Sequence, residues 1–282
     1  MQINDDQFHI DPGPGSLMAA KMAGVNLRAN TALLVSSNNI YSSNDVNAVI
    51  DAMTYNGFDK KGVLIANDAV INGNQEETPL LKKYYKNFLE RFIVLENGKR
   101  VGINDIEIEA LKTKNSDDLG FKLIAPDFTL TYTGNTEYSY EIASQYENSS
   151  VLILNLQYLN RNEGKNGLCK EDAIKIVRNV NPKLAIITHF GINLHKVDPL
   201  YEAREIQKET GCRVISANDG MIVNPISYAV EQGQKTLYKY DKKEGIRVNE
   251  YIKQEEEKVR EINQLIERQT TLDEGDINLE NK

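Results

Sequence analysis

Imidazoles and thiols are the scarce reagents of this chain. Among its 282 residues are three histidines, His9, His189 and His195, and two cysteines, Cys169 and Cys212. A zinc site needs imidazole, thiolate or carboxylate donors at about 2.0–2.3 Å, converging on one point. The two cysteines are far apart and in no metal-like spacing, so they read as reduced, partly buried thiols. His9 lies on a short apolar run and reads as structural. His195, in Asn193-Leu194-His195-Lys196, reads as a loop or surface residue. His189 stands apart, because it follows Ile186-Ile187-Thr188 where a strand would end. Hydroxyls and amides are plentiful by contrast, as in Ser36-Ser37-Asn38-Asn39 and Ser42-Ser43-Asn44. Ser42, Ser43 and Asn44 precede a helical pattern, and free N–H groups there would make a candidate anion-binding site. An ordinary capped helix is the alternative.

The elements that would hold these residues alternate short apolar runs with amphipathic stretches, the pattern of α/β layering. Strands are expected near residues 8–10, 32–35, 62–66, 92–95, 103–110, 121–123, 129–133, 151–156, 184–188 and 213–216. Helices are expected near 45–55, 80–88, 138–145, 170–180 and 199–210. Ala125-Pro126-Asp127 would turn 121–133 into a hairpin. Pro199 and Gly211 bracket the last helix in the order helices prefer. Beyond about residue 234 the character changes. Residues 236–240 and 246–248 suit a small ribbon, and 250–268 form a charged helical stretch with a narrow apolar stripe. The domain reading is therefore 1–234, followed by 235–282 as ribbon, helix and polar tail.

Composition excludes several classes of function. The formal net charge of −8 argues against a broad polyanion-binding face, so nucleic acid is not an expected partner. Tyr-Lys stretches such as Lys83-Tyr84-Tyr85-Lys86 could stack bases, but in this charge setting they read as solvated faces. No window approaches the ~20 apolar residues of a membrane span. The opening Met1-Gln2-Ile3-Asn4-Asp5-Asp6 has neither a basic nor an apolar region of a secretory signal, so cytoplasmic residence is expected.

Four features, in order, resemble the metallo-β-lactamase-fold hydrolases over roughly residues 8–220. They are Ile10-Asp11-Pro12-Gly13-Pro14-Gly15, then Leu33-Leu34-Val35-Ser36 leading to Asn44-Asp45-Val46-Asn47-Ala48, then Tyr132-Thr133-Gly134-Asn135-Thr136, and finally Ile186-Ile187-Thr188-His189-Phe190-Gly191. In that family a His-x-His-x-Asp-His loop and further His and Asp residues hold one or two metal ions, usually zinc. Here Ser37 and Asn39 stand at the first two His positions, Tyr41 at the Asp position and Ser42 at the last His position. Asn115 stands where the next His is expected, and Asn135 where an Asp commonly bridges two metals. His189 is retained, so six of the seven positions are Ser, Asn or Tyr.

The resemblance implies an αββα sandwich of the metallo-β-lactamase type, N-terminally truncated relative to the family and extended by a C-terminal helix. Zinc is the family's cofactor, but its ligands are missing, so no cofactor is expected. Neutral amides and hydroxyls relieve the charge that carboxylates would carry without an ion. A catalytically inactive binding, scaffold or regulatory subunit is the first reading. A hydrolase with residual or metal-independent chemistry is the second, with Ser37 or Ser42 as nucleophile and His189 as base. A protein sequestering a nucleotide or other phosphorylated small molecule is the third. The family's front strands are absent from the sequence, which would leave an open sheet edge. A homodimer, a heterodimer with an active paralogue, or the C-terminal extension is expected to cover it.

Overall fold

The computed structural model describes residues 1–74, 78–115 and 117–224. The chain divides into two units, Met1–Ala229 and Val230–Lys282, and everything below belongs to the first. The ribbon and charged helix expected within 236–268 lie outside the described residues.

The first half of the chain builds one sheet. β1 (Gln2–Ile3) turns back antiparallel on β2 (Asp6–Ile10), and β2, β3 (Asn30–Val35), β4 (Val63–Ala66) and β5 (Arg91–Val94) run parallel in that order. The open side of β2 is thus taken by the chain's own first residues, with the Met1 amine donating to the Phe8 carbonyl at 2.7 Å. Between the strands lie α1 (Ser16–Met22), α2 (Ile40–Ser43), α3 (Val46–Thr54), α4 (Asp68–Asn72) and α5 (Lys83–Lys86).

The second sheet begins as an antiparallel meander of β6 (Arg100–Ile103), β7 (Ile106–Lys112), β8 (Leu119–Ile124) and β9 (Thr129–Tyr132). After α6 (Tyr140–Ser144) it becomes parallel through β10 (Val151–Tyr158), β12 (Leu184–Thr188) and β13 (Val214–Ser216), with the short β11 (Leu168–Cys169) beside β10. α7 (Lys170–Val180), α8 (Ile192–Val197) and α9 (Pro199–Thr210) connect these strands.

Strand alternation sorts the apolar residues into layers. Leu34 of β3 points between the sheets, where it joins Phe8, Ile65, Ile108, Phe121 and Leu123. Its neighbours Leu33 and Val35 point the other way, onto Val49, Ile50 and Met53 of α3. On the far side Leu152, Leu154 and Ile187 pack against Ile176, Val177 and Ile206 of α7 and α9. Both faces of β3 are therefore covered, which explains its unbroken apolar run. The layers are helix, sheet, sheet, helix: the expected αββα sandwich.

Two local expectations are corrected. Residues 103–110 are not one strand, because Asn104 adopts left-handed backbone (φ 50°) and the chain folds into a hairpin with Ile103 opposite Ile106. The helix expected over 80–88 is the single turn α5; Tyr84, Tyr85 and Phe88 use the next residues to pack ring edges on one another. α1 was not foreseeable from amphipathicity, since none of its residues is buried.

Candidate functional site

Parallel strands deliver their C-terminal ends, and the loops that follow, to one rim of a sheet. Asp11 follows β2, Ser36 and Ser37 follow β3, Thr133 to Asn135 follow β9, and His189 follows β12. Asp11 and His189 both take left-handed backbone, φ 47° and 60°, which turns the chain sharply at each strand end. Gly13 lets the loop after β2 lie directly on the Tyr41 carbonyl, where a Cβ would collide with backbone. Gly134 does the same against the Leu119 carbonyl, with φ 62°.

These loops enclose two cavities. The larger, about 1080 Å³, is bordered by Ser37, Asn39, Asn115 and Asn135, with Lys114, Asp117, Asp118 and Glu137 also on its wall. The smaller, about 280 Å³, is bordered by Tyr41, Ser42 and His189 together with Asp11, Tyr132 and Asn155. The seven positions where the family resemblance places ligands are thus divided four and three between the cavities.

In the larger cavity three of the four substituted side chains, Ser37, Asn39 and Asn115, serve their own loops. Ser37 Oγ accepts from the Asn39 N–H at 3.1 Å, and Asn39 Oδ1 caps α2 by accepting from the Tyr41 N–H at 3.1 Å. Asn115 Nδ2 donates to the Asp118 carboxylate at 3.0 Å, and its Oδ1 accepts from the Asp117 N–H at 3.4 Å. The Asn135 carbonyl oxygen is buried without a hydrogen-bond partner among the described residues.

The smaller cavity is organised around Asp11. Its carboxylate accepts from the Ser36 N–H at 2.7 Å, the Ser36 hydroxyl at 2.6 Å and the Tyr132 hydroxyl at 2.6 Å. Asn155 Nδ2 in turn donates to the Tyr132 oxygen at 3.0 Å. Desolvation outweighs these donors and raises the Asp11 carboxyl to about 6. Burial and the neighbouring carboxylate push the Tyr132 phenol well above its usual range. Burial lowers the His189 imidazole, so its neutral form is favoured, and the Tyr41 ring meets it edge-on at 6.2 Å. No hydrogen bond joins His189 to Ser37 or Ser42 among the described residues. The nucleophile–base pairing therefore lacks its contact.

Ser42, Ser43 and Asn44, the expected anion-binding residues, lead into α3 through the end of α2. Ser42 and Ser43 close α2, Asn44 is its C-cap, and Asp45 is the N-cap of α3. The N–H groups of Ser42 and Ser43 both donate to the Asn39 carbonyl, that of Asn44 to Ile40, and that of Asp45 to Pro12. The N–H groups of these residues are thus already used. α3 begins after Asp45, whose carboxylate accepts from the Leu17 N–H at 3.1 Å.

His9 bonds the Ser16 hydroxyl at 2.7 Å, tying β2 to α1. His195 is exposed and edge-on to Phe190 at 5.8 Å. Cys169 and Cys212 are buried free thiols. Among the described residues no three His, Cys, Asp or Glu side chains converge as a metal would require. The donor chemistry gives the reason: at the seven positions stand six neutral hydroxyls and amides, of which Ser37, Asn39 and Asn115 are bonded within their own loops, and one imidazole. Zinc does not fit this set.

Asp11, Tyr132 and Asn155 were not singled out from the sequence as site residues. Tyr132 and Asn155 read as ordinary strand positions. A signal was available in Asn155, an amide inside the apolar run Val151-Leu152-Ile153-Leu154-Asn155-Leu156. A buried amide there needs partners.

No protein-family model matches the chain. The uncharacterised protein MJ1374 of Methanocaldococcus jannaschii is 29% identical over 227 residues, covering 79% of this chain and 85% of that protein. The metallo-β-lactamase fold protein YhfI of Bacillus subtilis superposes with a TM-score of 0.64 at 19% identity, over 78% of this chain and 87% of its own. A diphosphatase of the PhnP family superposes with a TM-score of 0.57 at 12% identity, over 79% and 81%. The fold is that of the metallo-β-lactamases, and its structural neighbours include metallo-hydrolases. No described helix is long and apolar enough to cross a membrane.

Proposed function

We propose that this chain is a catalytically inactive metallo-β-lactamase-fold protein that works as a binding, scaffold or regulatory subunit. One observation carries the reading. Three of the four side chains at the ligand positions of the larger cavity, Ser37, Asn39 and Asn115, are engaged in bonds within the turns in which they stand. A metal would have to break those bonds and accept neutral donors in exchange, and water would not be acidified without it. What is left is a folded rim with a polar cavity, suited to holding a ligand or a partner segment.

Charge decides which ligand the larger cavity favours. Lys114 is the one cation among its described lining residues, against Asp117, Asp118 and Glu137. That balance disfavours a nucleotide or other phosphorylated molecule and suits a neutral polar one. Association with a second copy or an active paralogue is part of the same proposal, since a subunit without turnover acts through what it binds.

The test pairs activity with mass. Purified full-length protein, assayed against bis(p-nitrophenyl) phosphate with zinc or manganese added, is expected to show no turnover above the uncatalysed rate. Native mass measurement is expected to show a dimer or a complex. Metal-stimulated turnover that is lost on His189→Ala would overturn the inactive reading, and a monomer at all accessible concentrations would overturn the association.

A further inference from the structure

Helix α1 carries more apolar surface than the described residues cover. Leu17 and Ala20 pack on the core formed by β3, β4 and α3, which accounts for the inner side of the helix. The outer side bears Met18, 63% exposed, and Met22, 82%, with Val25 just beyond the helix at 43%. Their spacing of four and three, with Gly15 three residues before Met18, is that of a stripe that packs on another helix. A Cβ built on Gly15 or Gly24 would meet nothing within 4 Å, so no described residue lies over either end of the stripe. Apolar side chains exposed singly are ordinary, but a row of them along one helix marks a contact surface.

Charge selects the partner. Between Pro12 and Leu27 the sole charged residue is Lys21, in a chain of 33 basic and 41 acidic residues. Lys21 is exposed and forms no ion pair with the described residues. Leu17 lies one turn earlier on the same flank of the helix, and its N–H donates to the Asp45 carboxylate at 3.1 Å. A second α1 laid antiparallel on the first, about a two-fold axis near Ala20, sets Met18 against Met22 of the other copy. The same alignment brings Lys21 to the flank where Leu17 and Asp45 of the other copy stand, an attraction made twice. Elsewhere a net charge of −8 sets two copies against each other, and this face escapes that repulsion. We propose that the outer face of α1 is the contact through which two copies of this chain associate. The inference rests on the association reading above and names the surface that serves it. Ala19 and Ala23 beside the stripe let the helices approach closely, and a patch that meets itself closes the assembly at two.

Sedimentation of the full chain and of substituted chains tests it. Met18→Glu together with Met22→Glu is expected to raise the dimer's dissociation constant about a hundredfold or more, because four apolar side chains per dimer are lost. Lys21→Glu alone is expected to raise it about tenfold, since an attraction made twice becomes a repulsion. Should the double variant fail to fold, cross-linking decides. Oxidised protein carrying Met18→Cys and Met22→Cys is expected to give a covalent dimer, and protein carrying Ile192→Cys, an exposed site on α8, is not. A dimer that keeps its dissociation constant in these variants, or that forms no such cross-link, overturns this proposal and leaves the association reading standing. A wild type that is monomeric at all accessible concentrations overturns both. The proposal also falls if wild-type protein floats with phosphatidylcholine–phosphatidylserine vesicles and the double variant does not, which would assign the stripe to a membrane surface.

Discussion

The two cavities share one loop, but the substituted side chains of the larger and the Asp11 carboxylate of the smaller bond over very different spans of chain. At the substituted positions of the larger one, hydrogen bonds are short in sequence: Ser37 reaches two residues, Asn39 two and Asn115 three, while their neighbour Asn38 ties the loop to Thr78 and Leu80 across 40 and 42. Around the smaller one they are long: Asp11 joins Ser36 across 25 residues and Tyr132 across 121. Asp11 follows β2 in the first sheet, whereas Tyr132 and Asn155 belong to β9 and β10 in the second. This network therefore fastens the rim of one sheet to the other. Local bonds set the shape of a turn, while long-range bonds set the distance between strands. On this account the substitutions around the larger cavity cost the fold little, while the smaller cavity keeps a buried charge that the fold must satisfy.

That contrast can be broken most severely at Gly13. Gly13→Ala places a methyl against the Tyr41 carbonyl, and the loop after β2 must move. A loss of about 3 kcal/mol or more in urea unfolding is expected, typical of severe overpacking. Near-normal stability would show that this loop is not held to α2.

Protonation of Asp11 gives the next largest effect. Its carboxyl is raised from 3.8 to about 6, so between these values the folded chain holds a proton that the unfolded chain has released. Stability from this group is full below about pH 4, falls as pH rises and has lost about 2–3 kcal/mol above pH 6. His9, lowered from 6.5 to about 4, works in the other direction over the same window. The measurement is therefore the difference between wild type and Asp11→Asn, taken from pH 4 to pH 7 by denaturant unfolding. It is expected to move against the wild type as pH rises; a flat difference would remove Asp11 from the account.

Tyr132→Phe deletes the hydroxyl between Asp11 and Asn155. A loss of about 2 kcal/mol is expected, because a buried carboxylate and a buried amide each lose a partner. Asn39→Ala removes a helix cap from the larger cavity and should cost only about 1 kcal/mol. If Asn39→Ala proved costlier than Tyr132→Phe, the contrast between the cavities would be reversed.

The sequence made some of this legible and hid the rest for physical reasons. β3, β10, β12, α7 and α9 stand where their apolar periods put them, and the hairpin at Pro126-Asp127 closes as its turn residues imply. The division of β6 from β7 rests on the single left-handed residue Asn104, which carries no periodic signal. At the site, Ser37, Asn39, Asn115 and Asn135 fall on one cavity, and Tyr41, Ser42 and His189 on the other. The Asp11 network escaped the sequence because its members are joined only by tertiary folding. A tyrosine ending an apolar strand looks like any other until a carboxylate 121 residues away is brought within 2.6 Å.

The central claim is that the rim of this fold no longer holds the family's metal, and elemental analysis of protein purified and dialysed without chelator tests it most directly. The account predicts zinc, manganese and iron far below one atom per chain, with no rise in melting temperature on adding zinc. Stoichiometric zinc that survives dialysis and leaves on His189→Ala would contradict it.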